Sequence, residues 1–493
     1  MSREEERLHK LENAPIPRLL FTYALPSVIG AVVNALYNIV DRIFIGQGAG
    51  DDALAGMAIT LPILLFLVAF GMLVGSGAAV RVSIYLGRND QKTAERLLSN
   101  AIMLTLLFNV TICSMVLLFM DPLLHLFGAN DIIIPYAKEY LYIVVPANIV
   151  SDLCFSYNAI MRASGYPHKA MISMLLGAVL NCILDPIFIF DFGWGIKGAA
   201  WATVISEIVA AVFVMSHFFN QRHTLHFSRS WGDYRPDFKM MLAIVSIGIA
   251  PFVMMIVNSL INIIMNRSFV YYAASTAEAN ISIAAYGIIL SITQLFIQFM
   301  VGVSMGMQPI VGFNLGARKI RRSIDTYKLA VLVNVSVAAI GFAMALFTPS
   351  LIVQAFSREG DGALVTFTTQ ALGIAMMAFP IIGVQITSVQ FFQSLGKSGK
   401  SMFLSLTRQV VYLIPCLLIF PIFMGTKGIW VSMPIADTLA GITSILMVLY
   451  QIPRLLKRYT HEPDEAKEKV LKGGFTSIAP YMYSLFGREC FCG

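Results

Sequence analysis

Apolar runs of about 20 or more residues, long enough to cross a bilayer as helices, recur along this chain with short polar interruptions. The pattern predicts twelve spanning helices, near 18–46, 53–87, 93–120, 133–161, 169–190, 197–220, 240–269, 280–315, 324–347, 364–394, 402–424 and 428–452. Several exceed a straight span, so tilt or bending is expected. Pro26, Pro146, Pro251, Pro309 and Pro380 fall inside them as candidate kinks. The reading is an all-α integral membrane protein, with the lipid bilayer as its first partner.

Composition agrees. Of 493 residues, 57% are hydrophobic and 13% charged, and mean hydropathy is +0.74; soluble domains carry about 25% charged residues. The net charge of +7 does not point to nucleic acid, because the basic residues are dispersed over short loops. They fall on alternate loops. One set carries Arg88, Lys92 and Arg96, then Arg162 and Lys169, then Arg222 to Lys239, Arg318 to Arg322, and Lys397 with Lys400. The other set holds at most one basic residue per loop, such as Lys138, Lys197, Arg358 and Lys427. By the positive-inside rule the first set and both termini are cytoplasmic, in a multi-pass protein of the cell (inner) membrane.

The basic stretch 221–239 divides the chain, and the two halves resemble each other. VVNALYNIV (32–40) matches IVNSLINII (256–264); the Leu-Gly closing 75–88 matches that in 304–318; GIKGAAW (195–201) matches GTKGIW (425–430), which aligns Glu207 with Asp437. Expected units are a cytoplasmic N-terminal segment (1–17), an N-lobe of six helices (18–220), the basic linker (221–239), a C-lobe of six helices (240–452) and a cytoplasmic tail (453–493) containing Cys490 and Cys492. An even helix number per half relates the lobes by a pseudo-two-fold axis along the membrane normal, with a cavity between them.

Two carboxylates interrupt apolar stretches of the first half: Asp41 in NALYNIVDRIFIG and Asp185 in LGAVLNCILDPIFIF. A charge at bilayer depth costs about 3 kcal/mol on insertion scales, so such residues are functional candidates. Asn181 lies one turn before Asp185, and Asn34 and Asn38 precede Asp41 on one face. The second half has Met265 at the place of Asp41 and Pro415 or Cys416 at that of Asp185. The ion chemistry is therefore expected in the N-lobe alone. Asp41, Asp185 and Thr203 sit at similar depths, so Asp41, Asn181, Asp185 and Thr203 could meet across three helices. Two carboxylates so placed cannot both stay charged cheaply unless a cation lies between them. Burial as separate hydrogen-bond partners is the alternative. Glu207 and Asp437, equivalent in the two halves, favour a structural role; Asp152 could line the cavity or make a polar contact near Asn148. Asn34, Tyr37 and Asn38, with Gln294, Gln298 and Gln390 in the second half, are candidates for a substrate path, and helix–helix contact explains the glutamines equally well.

Pro26, LYNIVDRIFIG, RASGYPHKAM, NCILDPIFIF and GIKGAAWAT together resemble the multidrug and toxic compound extrusion (MATE) transporters, in their bacterial MepA-type and DinF-like branch. The resemblance spans almost the whole chain. It implies a monomeric antiporter, not an enzyme and without a cofactor, that exports amphipathic, cationic small molecules by alternating access. The coupling ion would be H+ or Na+, bound at Asp41, Asn181, Asp185 and Thr203, and Pro26 would be the hinge of the first helix. C-lobe acids used by other branches have no counterpart. A lipid-linked saccharide flippase of the same superfamily is the alternative, and would want deep basic residues, for which Arg42, Arg81, Arg267 and Arg408 are the candidates. A membrane-embedded enzyme would want His or Ser-His clusters inside helices, and the seven histidines lie mostly in loops or near helix ends.

Overall fold

The computed structural model of the chain describes residues 3–48, 50–129, 131–221, 223–228, 235–354 and 362–461. Cys490 and Cys492, and Arg222 and Arg229 of the linker, lie outside them. Among the described residues no strand occurs. A short helix α1 (Arg3–Asn13) leads into α2 (Ile16–Gly48), α3 (Asp51–Gly87) and α4 (Gln91–Leu118). The first half continues with α5 (Met120–Leu126), α6 (Ile134–Ala163), α7 (Pro167–Pro186) and α8 (Gly195–Phe219). The second half holds α9 (Phe238–Tyr272), α10 (Thr276–Gly316), α11 (Ile320–Phe347), α12 (Pro349–Gln354), α13 (Gly362–Ala375) and α14 (Phe379–Ser394). It ends with α15 (Ser398–Leu406), α16 (Ile414–Met424) and α17 (Thr426–His461). Among the described residues, 11 helices are long and apolar enough to cross a membrane, or 12 if the bent pair α13 and α14 is one span.

Four departures from the hydropathy reading have local causes. The span expected over 364–394 bends by 54° between α13 and α14, because Pro380 sits in the first turn of α14, where its missing N–H is harmless and a new helix can start. Pro380 thus begins a helix instead of kinking one, whereas Pro26, Pro146, Pro251 and Pro309 lie within helices. The N-terminal segment forms α1, with Glu6 and Lys10 paired one turn apart. The last helix runs past 452 to His461. Finally, α7 passes into a π-helical turn, Ile187–Asp191, directly after Asp185 and Pro186, and a second π turn, Thr407–Leu413, joins α15 to α16.

One large core draws on both halves. It joins Leu73, Val74 and Ala78 of α3 to Ile244 and Ile247 of α9 and to Val303 and Met307 of α10. These residues lie toward the ends connected by the basic loops. Toward the opposite ends the apolar packing separates: Ile63 and Leu67 with Leu141, and Ile45 with Ile189 and Ala199, in the first half; Met265, Phe269 and Trp430 in the second. The lobes are fused at one end and part at the other. At the fused end α3 and α9 touch backbone to backbone. A Cβ on Gly77 would overlap the carbonyl oxygen of Ile244, and one on Gly248 that of Leu73, so only glycine permits this approach. Helix α1 lies across the seam. Leu11 is fully buried, and its carbonyl accepts from Asn314 Nδ2 at 3.2 Å. Lys319 Nζ reaches Asn13 Oδ1 at 3.0 Å and Glu12 at 2.9 Å, and Arg322 donates to the Ala14 carbonyl at 2.7 Å. On the first-half side, the Arg7 guanidinium lies 4.1 Å over the Tyr166 ring.

Candidate cation site and adjoining cavity

Three helices of the first half carry polar residues at one-turn spacing on the faces they turn to one another. Asp41 follows Tyr37 on α2, Asp185 follows Asn181 on α7, and Glu207 follows Thr203 on α8. The structure brings Asp41, Asn181, Asp185 and Thr203 together. Asp185 is fully buried and Asp41 is 5% exposed, and the two carboxyls lie near one another. Two carboxyls so placed cannot both stay charged cheaply unless a proton or a cation offsets them. Asn181 Nδ2 donates to Asp185 Oδ1 at 3.2 Å and to Thr203 Oγ1 at 3.3 Å. That leaves Asn181 Oδ1 and Asp185 Oδ2 buried without a hydrogen-bond partner. Unmet oxygens, beside carboxyls and a hydroxyl, form a donor set suited to a proton or a hard monovalent cation such as sodium. Among the described residues no group of three or more His, Cys, Asp or Glu side chains gathers as for a transition metal.

One turn away on all three helices, a cavity of about 170 Å³ opens. Its lining includes Asn34 and Tyr37, Ser151 and Phe155 of α6, Gly177 and Ala178, Glu207 of α8, and Met305 of α10. Asn181 and Thr203 belong to its wall too, so cavity and cation site share two side chains. Two charged residues face it. Glu207 accepts from the Ser151 hydroxyl. At the other end, Arg162 donates from Nη1 to Asn158 Oδ1, and Asn158 is held by the Ala170 carbonyl at 2.7 Å and Ser173 Oγ at 2.6 Å.

Sequence reasoning missed Arg162 here. It reads as a loop charge, yet it lies in the last turn of α6 and is 7% exposed; its place four residues after Asn158, on the same helix face, was the available signal. The second-half glutamines are elsewhere: Gln294 is exposed, Gln298 and Gln390 are half-buried, and none lines this cavity. The side chains of Asn38 and Arg42 lie outside those described. Arg267 is exposed and Arg81 half-buried. Asp152 makes the polar contact near Asn148: Asn109 Nδ2 donates to Asp152 Oδ2 at 2.9 Å, and Asn148 Nδ2 to Asn109 Oδ1 at 2.8 Å.

The second half builds something different at the same places. Met265 is 1% exposed in an apolar cluster. Asn258 and Asn262 serve as acceptors for Gln409 at 2.9 Å and the Tyr286 hydroxyl at 3.1 Å. Asp437 is paired with Arg408, Nε to Oδ1 at 2.7 Å.

The sequence model of the family described as MatE matches residues 26–187 and again 250–418, once in each half. Among curated proteins, the multidrug export protein MepA of Staphylococcus haemolyticus is 28% identical over 445 residues, covering 90% of this chain and 96% of that protein. MepA of Staphylococcus aureus strain N315 is 28% identical over 453 residues, covering 92% and 98%. A solved outward-facing conformation of a multidrug resistance MATE family transporter superposes with a TM-score of 0.84 at 24% identity, covering 91% of this chain and 98% of its own. At that identity the likeness establishes the fold.

Proposed function

Because the chain belongs to the MATE family of membrane transporters, we propose that it exports amphipathic organic cations across the cell membrane in exchange for H+ or Na+. It works as a monomer by alternating access, with both termini in the cytoplasm, as the basic loop set supports. The observation that carries this reading is the one-turn offset between cation site and cavity on α2, α7 and α8, about 5.4 Å. The MepA relatives, named as multidrug export proteins, support the substrate class.

In this reading the ion enters from the side where the lobes part and binds Asp41, Asp185, Asn181 and Thr203. Neutralising the two carboxyls lets α2 settle against α7. Tyr37, one turn before Asp41, moves with it into the cavity and expels the substrate outward. Ion and substrate then lower each other's affinity by the same factor, as linkage requires. A flippase for lipid-linked saccharides is less well supported, because the deep arginine facing the cavity is held by Asn158 and a carboxylate faces it from the other end.

Purified protein in vesicles, with a pH or sodium gradient imposed separately, tests the proposal. Asp41→Asn and Asp185→Asn should each abolish gradient-driven efflux while the protein inserts and folds. Wild-type transport by either variant would overturn the site assignment.

A further inference from the structure

The internal duplication supplies a template for what the cavity holds. Gly195 and Gly425 open the two GxKG segments, and twelve residues beyond them lie Glu207 and Asp437. Gly165 and Gly396 mark the turns before α7 and α15, both at positive φ, 98° and 69°. Twelve residues beyond those lie Gly177 and Arg408. The pair Arg408–Asp437 of the second half thus corresponds to Gly177 and Glu207 in the first. The carboxylate is kept and its guanidinium is replaced by nothing larger than hydrogen. Gly177 and Glu207 both line the cavity. A Cβ built on Gly177 makes only ordinary contact, with Ala210 Cβ at 3.5 Å and the Ser206 carbonyl oxygen at 3.9 Å, so a side chain could start there, on the cavity wall, without a clash.

We propose that the cavity takes an organic cation whose N–H donors occupy, against Glu207, the place that the Arg408 guanidinium occupies against Asp437. This rests on the transport reading above and narrows its substrate class to amidinium, guanidinium or protonated-amine heads on an apolar body. The chemistry is local. Ser151 donates to one carboxylate oxygen of Glu207, orienting the group, and a charge-assisted N–H···O bond to the other is the strong, directional kind. Tyr37, Phe155, Met174 and Met305 supply apolar and aromatic wall for the body. Arg162, eleven residues along α6 from Ser151, lies about 16 Å away along the axis. It disfavours the cationic head at its own end, which fixes the orientation of the ligand.

The test is equilibrium binding to the full chain in lipid nanodiscs, with an alkoxybenzamidine as the N–H-bearing probe and tetraphenylphosphonium as a cation without N–H groups. Glu207→Gln should weaken benzamidine binding by about tenfold or more, the scale of a lost charge-assisted bond, and tetraphenylphosphonium binding by clearly less. Gly177→Arg, which tethers a guanidinium in the open space, should exclude the benzamidine to a similar degree while raising the thermal midpoint. Benzamidine affinity unchanged in both variants, or equal losses for both probes in Glu207→Gln, overturns the assignment. Wild-type protein that binds neither probe overturns the transport reading itself. Should Glu207→Gln fail to fold, Gly177→Arg decides alone, since the open space beside Glu207 is what the proposal requires filled.

Discussion

At the scale of single residues, burial does not separate the acids Asp152 and Asp185; their partners do. Asp152 and Asp185 are both at most 2% exposed. Asp152 is held by Asn109, itself braced by Asn148, while Asp185 keeps an oxygen with no partner. Asn109→Ala should therefore lower stability by about 1–3 kcal/mol, the cost of stranding a buried acceptor, and leave substrate affinity within about twofold. Thermal unfolding and binding on the same preparation check this, and a binding defect larger than the stability defect would contradict it. Lys397, in the turn between α14 and α15, gives a pH signature. Burial, with Lys400 and Arg458 nearby, holds its amine down to about 8 from 10.5. Between those values the unfolded chain carries a proton that the folded chain does not, so stability rises with pH across that interval. Thermal midpoints recorded from pH 8 to 10 should show that rise, and Lys397→Met should flatten it. The positions of Asp41 and Asp185 were legible because lipid cannot solvate them. The split between Glu207 and Asp437 was not, because a repeat shows which positions correspond and not which partner has been deleted.

At the scale of elements, hydropathy placed the spans because burial in lipid acts on whole segments, but breaks inside segments depend on a few residues. Pro380 was visible; that it starts α14 after a 54° turn, and does not kink a continuous helix, no periodicity records. Helix α1 was missed because most of its residues are polar or charged and, among the side chains described, Leu11 alone is fully buried. Pro26 in α2 gives an element-scale prediction. Proline removes a backbone hydrogen bond and leaves a flexible joint, and Asp41 lies four turns beyond it. Spin labels on the outer ends of α2 and α7 should change separation when pH is stepped between about 5 and 8, the range in which a buried carboxyl pair can titrate, or when sodium is added. Pro26→Ala should narrow that change. A distance distribution that is the same under all these conditions would exclude the bend as a moving part.

At the scale of the whole molecule, the duplication yields two lobes of similar build, and within the seam between them backbone meets backbone at two glycines. At Gly77 and Gly248 no side chain stands between α3 and α9, so at these two points the grip of one lobe on the other has no slack to absorb an added methyl. That makes the seam a dial for turnover. In the exchange proposed above, a weakened grip would leave the carrier slow to close again and prone to leak the coupling ion. A graded series at Gly248, from alanine through serine to valine, should slow exchange in step with side-chain volume, while uncoupled ion leak in vesicles rises along it. The tuning of the cycle would then reside in two hydrogens, far from any ion or drug.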